Sequence, residues 1–382
     1  DIQGGCQPMA TLDDNLIIVY NGEIYNHRAL RSELQALGHK FRSDHSDTEV
    51  LLHGYRAWGD RLPDRLNGMF AFAIYDRTSA RLFLARDRFG KKPLFFAAHP
   101  SGFIFASELS AVLAHSSVGR KTNRLALMKY FAYGFFPTPL TPVAAVQQLP
   151  PGSIAVVSLP DCVCKISPYW RFQLEPQQLD PAEHMGRWAE ELRELLSVAV
   201  ERRLESDVPL GVLLSGGIDS SAILALAVRH REPSTIDSFT IGFQEESFNE
   251  APYARRIAEY LGCAYHEQIC DLNAIYAVAP GVLDGMDVPL GDGSLLPTHL
   301  LARFAREKIT VALGGDGGDE LFAGYDPFDA LAPSTFYQRI VPRALHPAIK
   351  ALADFLPISD RNMGLDFKIR RWLRGVGNAP QY

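Results

Sequence analysis

The tightest constraint on this chain is one run of residues, VPLGVLLSGGIDSSAILAL at 208–226. A short apolar stretch, PLGVLL, is bounded on its far side by glycines and predicts a buried strand. Ser215-Gly216-Gly217 breaks it, and SSAILALAVRH predicts a helix starting at about Ser220. Glycines let a backbone approach a ligand closely, and the free N–H groups of a helix start attract an anion. Ser215, Ser220 and Ser221 add hydroxyl donors without bulk. Asp219 is an acid inside an anion-binding turn, which makes sense where Mg²⁺ stands between carboxylate and phosphate. The spacing matches neither G-x-x-x-x-G-K-[ST] nor G-x-G-x-x-G, so neither an ordinary P-loop nor a dinucleotide fold is indicated. A plain small-residue turn between strand and helix is the alternative reading of the same residues.

The surrounding pattern repeats the strand–helix alternation. A long amphipathic helix over roughly 187–204 leads in. The strand IDSFTIGF, the helix APYARRIAEYLG, the short strand AYHEQI and the helix PTHLLARFAREK follow, ahead of the strand ITVALG. That order predicts a parallel sheet with crossover helices. A second glycine turn, LGGDGGDELFAGY at 313–325, places Asp316, Asp319 and Glu320 at the end of what reads as a buried strand. Three acids there suit metal ligands and substrate positioners. Both turns fall at the carboxyl ends of parallel strands, where open α/β sheets bind ligands.

Residues 1 to about 165 follow a different pattern. LIIVY at 16–20, MFAFAIYD at 69–76, ARLFLARD at 80–87, PLFFAAH at 93–99 and GFIFAS at 102–107 are short β-type runs with turn residues between them. A helix is predicted over HRALRSELQALG, stopped by Gly38, and a second from Thr48 to Trp58. Hairpin strands with helices packed on them give an α+β layered domain. The region 166–186 is rich in proline and glutamine without a period and reads as a linker. The expected organisation is therefore 1–165, linker 166–186, and 187–382.

A length of 382 residues fits two domains. The net charge of −6 argues against a nucleic-acid binder. No apolar run approaches the roughly 18–20 residues of a membrane span, and the first residues lack the pattern of a signal peptide. Five cysteines at irregular spacing do not make a disulfide framework. Cys162 and Cys164 form a C-x-C pair with no second pair at zinc spacing, so they read as ordinary thiols of a reducing cytoplasm.

In the first half, Asn21-Gly22 comes directly after a predicted strand. An asparagine amide and an unobstructed glycine N–H suit an oxyanion hole, Glu23 can hold an ammonium group, and Asp47 is a second candidate carboxylate. The same Asn-Gly dipeptide is also a common hairpin turn. His27, His39 and His45 have no ligand-spaced partners and read as surface residues. Cys6 reads as structural.

The SGGxDSS loop resembles the pyrophosphate-binding loop of ATP pyrophosphatases. The whole chain resembles glutamine-hydrolysing asparagine synthetases. NGEIYNHRALRSEL, SDTEV, NGMFAFAIYD, ARDRFGKKPLFF and FASEL resemble the glutaminase half of that family. VPLGVLLSGGIDSSAILAL, FTIGF, FNEAPYARRIAEYLG and GGDGGDELFAGY resemble its synthetase half. The resemblance implies an αββα glutaminase sandwich of the N-terminal-nucleophile hydrolase type, incomplete at its start, and a parallel-sheet ATP-pyrophosphatase domain of the PP-loop type. It implies hydrolysis of glutamine, adenylation of aspartate by ATP with Mg²⁺, and displacement of AMP by channelled ammonia. By resemblance, Asn21 and Gly22 form the oxyanion hole and bind glutamine together with Glu23 and Asp47. Leu213 and Ile241 line adenine and ribose, and Ser215, Gly216, Gly217, Asp219, Ser220 and Ser221 form the pyrophosphate site. Gly314 and Gly315 contact the nucleotide, Asp316 lies near the acyl-adenylate, and Asp219 and Asp319 are the Mg²⁺-linked carboxylates. Position 314 is often serine in the family, so a hydroxyl is missing there. VPLGDGSLLPT (288–298) resembles the loop beside the aspartate pocket, with Asp292-Gly293-Ser294 where a common bacterial version has D-S-S. Arg86, Asp87 and Lys92 fit either an inter-domain surface or a charged hairpin packed on its own domain. The 328–382 tail reads as helical, with Leu345, Ile349, Leu352 and Phe355 on one face.

The expected ligands are glutamine, aspartate and ATP, with no nucleic acid and no membrane; a homodimer is the assembly considered. Two alternatives stand beside asparagine synthesis. One is a related amidotransferase or a β-lactam-synthetase-like enzyme acting on another carboxylate. The other is a non-catalytic module that only binds MgATP. The family's nucleophilic cysteine and the arginine for the glutamine carboxylate would lie before Asp1, and its phosphate-stabilising lysine would lie after Tyr382. This polypeptide by itself is thus expected to lack glutaminase activity and to be weak in synthesis, while binding MgATP.

Overall fold

A computed structural model describes residues 5–99, 102–159, 161–176, 180–357 and 364–376. Parts of the expected linker and tail, and the first four residues, lie outside them. The chain divides into two compact units. The first comprises Asp1–Glu190 and Ala279–Leu295, the second Glu191–Val278 and Leu296–Tyr382.

In chain order the first unit contains β1 (Met9–Ala10), β2 (Leu16–Ile24), β3 (Gly68–Asp76), β4 (Arg81–Arg86), β5 (Phe95–His99), β6 (Gly102–Ala106), β7 (Gln147–Gln148), β8 (Ser153–Ser158) and β9 (Cys164–Pro168). They form two antiparallel sheets, ordered β1-β2-β3-β4-β8-β9 and β6-β5-β7. Strict alternation in β3 explains the layering. Phe70, Phe72 and Ile74 enter one core with Leu34, Leu51 and Leu52 from the helices His27–Ala36 and Asp47–Trp58. The intervening Ala71 and Ala73 face Leu94 and Phe96 of the second sheet side. Large residues thus meet helices and small ones meet a sheet, and each fully buried Phe contributes about 1.5–3 kcal/mol. The helix Leu109–Leu113 covers the outer face of the three-stranded sheet through Leu109 and Val112. The layers are helix, sheet, sheet, helix, as expected.

The second unit holds β10 (Leu210–Leu213), β11 (Asp237–Phe243), β12 (Ala264–Cys270) and β13 (Val311–Leu313), all parallel, in the order β12-β11-β10-β13. Val212 and Leu214 pack with Leu224 and Ala227 of the helix Ile218–Ala227 and with Ala254 and Ala258 of the helix Ala251–Leu261. Phe239 meets Ala305 of the helix Leu295–Arg306 on the opposite face.

Several local expectations change. The helix expected at 187–204 begins at Pro181, and 166–168 belong to β9. The helix of the SGGIDSS run starts at Ile218, not Ser220. Among the described residues only β10 flanks β13, which is therefore an exposed edge strand rather than a buried one. In the tail, Leu345, Leu352 and Phe355 are exposed. Among the described residues, no helix is long and apolar enough to cross a membrane.

Candidate functional site

In the first unit Asn21 and Gly22 do not form a turn. They lie inside β2, paired with Ala71 and Phe70 of β3. A β-carbon on Gly22 would lie 2.1 Å from the Met69 carbonyl oxygen, so only glycine permits this close pairing. The turn propensity of Asn-Gly is overridden by the ladder. Asn21 Nδ2 donates to Ser107 Oγ at 3.4 Å, linking β2 to the residue that follows β6 in the other sheet. Glu23 is exposed on the same strand, opposite Met69.

Asp47 opens the helix Asp47–Trp58 behind the N-cap Ser46, whose hydroxyl accepts from Glu49 N. Its Oδ2 accepts from Tyr20 Oη at 2.8 Å and from Ile24 N at 3.2 Å. Burial, then the Asp47 charge, pushes the Tyr20 phenol well above its ordinary pKa, so it stays a donor to that carboxylate. The structure therefore brings Asn21, Gly22, Glu23 and Asp47 together at one end of β2. Tyr20 and Ser107, which complete this arrangement, were not singled out by sequence; a tyrosine preceding NGE and the serine of FASEL were the available signals.

Arg86 and Asp87 are structural. Arg86 donates to the carbonyls of Lys92, Leu149 and Gly90 at 2.6–2.7 Å. Asp87 accepts from the amides of Phe70, Phe89, Lys91 and Lys92. Both are buried and bonded to backbone of their own unit, as the hairpin reading expects of them. His27 is buried rather than superficial, with Nδ1 2.9 Å from the Ile24 carbonyl. His39 is half-buried against His53, Nδ1 to Nδ1 3.2 Å. Cys6 is exposed.

In the second unit the SGGIDSS loop connects β10 to the helix Ile218–Ala227. Gly216 adopts φ +85°, and a β-carbon there would lie 2.7 Å from Ala254 N. The serine hydroxyls serve the loop itself. Ser220 Oγ accepts from Ser215 N at 3.2 Å, Ser215 Oγ accepts from Gly217 N at 3.2 Å, and Ser221 Oγ donates to Gly217 O at 2.5 Å. Ser221 N closes the helix on Gly217 O, so the amides of Ile218, Asp219 and Ser220 precede the first intrahelical bond. Leu213 and Ile241 are half-buried on the two central strands, with Leu213 in register with Phe239.

The second glycine turn nests on the first. A β-carbon on Gly315 would lie 2.7 Å from Ser220 N and 2.9 Å from Asp219 Cβ; one on Gly318 would lie 2.5 Å from Asp219 Cγ. Asp319 is half-buried, its Oδ1 2.1 Å from where a Gly324 β-carbon would stand, and Asp316 is exposed beside Gly314. Glu320 turns away and accepts from Tyr325 Oη at 2.7 Å, a bond that holds its carboxyl below the usual range. The Asp219 carboxylate thus lies against Gly318 of the second turn, and Asp319 follows that glycine in sequence with its own carboxylate against Gly324.

The first unit has the helix–sheet–sheet–helix layering, and the second the parallel sheet with a glycine loop between strand and helix, that the motifs of the two halves imply. Residues 1–170 match the glutamine amidotransferase domain model and residues 191–374 the asparagine synthase model. Asparagine synthetase [glutamine-hydrolyzing] 1 of Bacillus subtilis is 34% identical over 366 residues, covering 96% of this chain and 56% of the relative. Asparagine synthetase [glutamine-hydrolyzing] 3 of the same organism is 35% identical over 376 residues, covering 93% and 59%. A putative asparagine synthetase of Mycobacterium tuberculosis is 36% identical over 350 residues, covering 89% and 53%. The chain thus carries a glutamine amidotransferase domain followed by an asparagine synthase domain, and it spans a little over half the length of these relatives.

Proposed function

We propose that this chain supplies the glutamine site and the nucleotide site of a glutamine-dependent asparagine synthetase. The overall reaction converts ATP, aspartate and glutamine to asparagine, glutamate, AMP and pyrophosphate. The observation that carries the reading is the nesting of Gly315 and Gly318 against Asp219 and Ser220 at the carboxyl end of a parallel sheet.

A carboxylate is a poor electrophile until one oxygen becomes a good leaving group. Attack by the aspartate β-carboxylate oxygen on the α-phosphorus expels pyrophosphate and leaves a β-aspartyl adenylate. Ammonia then attacks the acyl carbon, AMP leaves with the bonding electrons, and the nitrogen loses a proton. The amides of Ile218, Asp219 and Ser220 are aimed to bind the pyrophosphate oxygens. Leu213 and Ile241 give the base and ribose an apolar seat. Asp316, exposed beside Gly314, is assigned a place near the acyl-adenylate.

Asp219 and Asp319 fit Mg²⁺, a hard cation held by one or two carboxylates together with substrate phosphates. When bound, the ion would neutralise charge building on the departing pyrophosphate. In the first unit Asn21 Nδ2 and Gly22 N–H are the oxyanion donors, and Glu23 and Asp47 receive the glutamine α-ammonium. Asp47 already accepts from Tyr20 and Ile24, so its position is fixed before glutamine arrives.

The test is release of AMP and pyrophosphate from ATP by the full-length protein, with aspartate compared against other carboxylic acids. Aspartate-dependent AMP release supports the reading; release only with another acid moves it to an acceptor-shifted relative.

A further inference from the structure

Residues 279–295 lie within the stretch that matches the asparagine synthase model, yet they fold with the first unit. Three contacts fasten them there. The Asp287 carboxylate accepts from Leu109 N through Oδ2 and from Ser110 N through Oδ1, the latter at 2.7 Å. Val288 packs on the cluster of Phe95, Leu109, Val112, Val118 and Val146. Gly291 N donates to Gly134 O at 2.7 Å, with the two glycine backbones in contact.

The anchored helix start adjoins the glutamine site. Leu109 is two residues from Ser107, whose hydroxyl accepts from Asn21 Nδ2. At its other end the segment runs straight into the helix Leu295–Arg306. That helix precedes β13 in a parallel sheet and so runs against the strands, which puts its first turn at the carboxyl edge that carries the 215–218 and 314–318 loops. Asp292 holds this entry by accepting from Ser294 N at 2.8 Å. The segment is therefore a strap fastened within the first unit two residues from Ser107, and its chain continues directly into the helix Leu295–Arg306 of the second.

We propose that Asp287 is a positioning residue that couples glutamine consumption to amide formation, by pinning this strap to the backbone beside Ser107. A carboxylate on two free amides at a helix start makes charge-assisted bonds that no neutral side chain reproduces. The inference rests on the proposed synthetase function.

Its test is Asp287→Ala in the full-length protein, with two readouts. Hydrogen exchange follows the Leu109 and Ser110 amides, and product analysis follows glutamate formed per asparagine formed. Lost protection together with a glutamate-to-asparagine ratio raised about fivefold or more is expected. A general loosening would slow both products together and leave the ratio alone. Gly291→Ala, whose β-carbon would lie 3.2 Å from Gly134 Cα, loosens the strap from its other end and is expected to raise the ratio too. An unchanged ratio in both variants overturns the proposal, even with protection lost, since the carboxylate is then only a helix cap. A wild-type protein that forms no asparagine refutes the proposed function instead, a result visible before any variant is made.

Discussion

Gly315→Ala isolates the nesting of the two glycine turns. The added β-carbon would stand 2.7 Å from Ser220 N and 2.9 Å from Asp219 Cβ, where ordinary contact begins at 3.4 Å. The turns must separate by about 0.5–0.7 Å, the difference between these distances. Both neighbours belong to a loop braced by its own serine hydroxyls and by the Gly216–Ala254 contact, so it yields poorly. Overpacking of this kind costs about 1–3 kcal/mol of stability. The shift also pulls the Asp219 and Ser220 amides off the phosphate. Loosening one hydrogen bond to a charged group costs about 1.5–3 kcal/mol, so MgATP affinity should fall on the order of 10–100-fold. Isothermal titration with MgATP measures the affinity, and urea unfolding checks that the variant is folded. A folded Gly315→Ala protein that binds MgATP as tightly as wild type would refute the reasoning.

Asp219→Asn keeps the side-chain shape and removes the charge, so ATP binding should weaken about tenfold or more in the presence of Mg²⁺ but hold or tighten in EDTA, where the carboxylate only repels phosphate; titrations under the two conditions measure this. Arg86→Lys strands buried carbonyls among Lys92, Leu149 and Gly90 and should cost about 2–4 kcal/mol in urea unfolding of the first unit. That unit should also be acid-sensitive in two stages. Burial holds the His39 and His53 pKa values below the ordinary 6.5, so the unfolded chain gains protons first and stability falls as pH drops through 6.5. Burial alone would raise Glu49, but the Arg42 and Ser43 amides and the Ser43 hydroxyl outweigh it and hold it below 4.5, so its contribution is lost below that pH. Urea midpoints from pH 8 to 4 should decline accordingly, and His53→Gln should flatten the upper stage.

Local pattern carried the fold where one face decides burial. The alternation of Phe70, Ala71, Phe72, Ala73 and Ile74 in β3 fixes both its neighbours, and the Leu30 and Leu34 spacing fixes the helix His27–Ala36. Both glycine turns of the second unit were legible for the same reason: each interrupts an apolar run with small residues. What could not be read locally depends on partners far along the chain. Asn21-Gly22 has the composition of a turn, and only the β3 ladder makes it strand. Arg86 looks like a surface charge until the carbonyl of Leu149, 63 residues away, is placed beside it. The Asp287 strap closes over 178 residues, and neither FASEL nor VPLGDGSLLPT, the motifs at its two ends, signals by its own residues that they meet.

The glycines of the nucleotide loop have a different use from the one their sequence suggests. Gly216 makes room for Ala254 N, Gly315 for Ser220 N, and Gly318 for the Asp219 carboxylate. Each close approach is of protein to protein, and Ser215, Ser220 and Ser221 spend their hydroxyls on the loop as well. The groups left to meet a phosphate are the helix-start amides and the two carboxylates. Binding and stability should therefore separate by residue type. Glycine-to-alanine changes at 216 and 315 should lose affinity and stability together, because they unpack the scaffold. Asp219→Asn should lose Mg²⁺-dependent affinity alone, because the scaffold does not lean on its charge. If Asp219→Asn unfolds in urea as readily as Gly315→Ala, the carboxylate is part of the packing and its assignment to the metal is wrong.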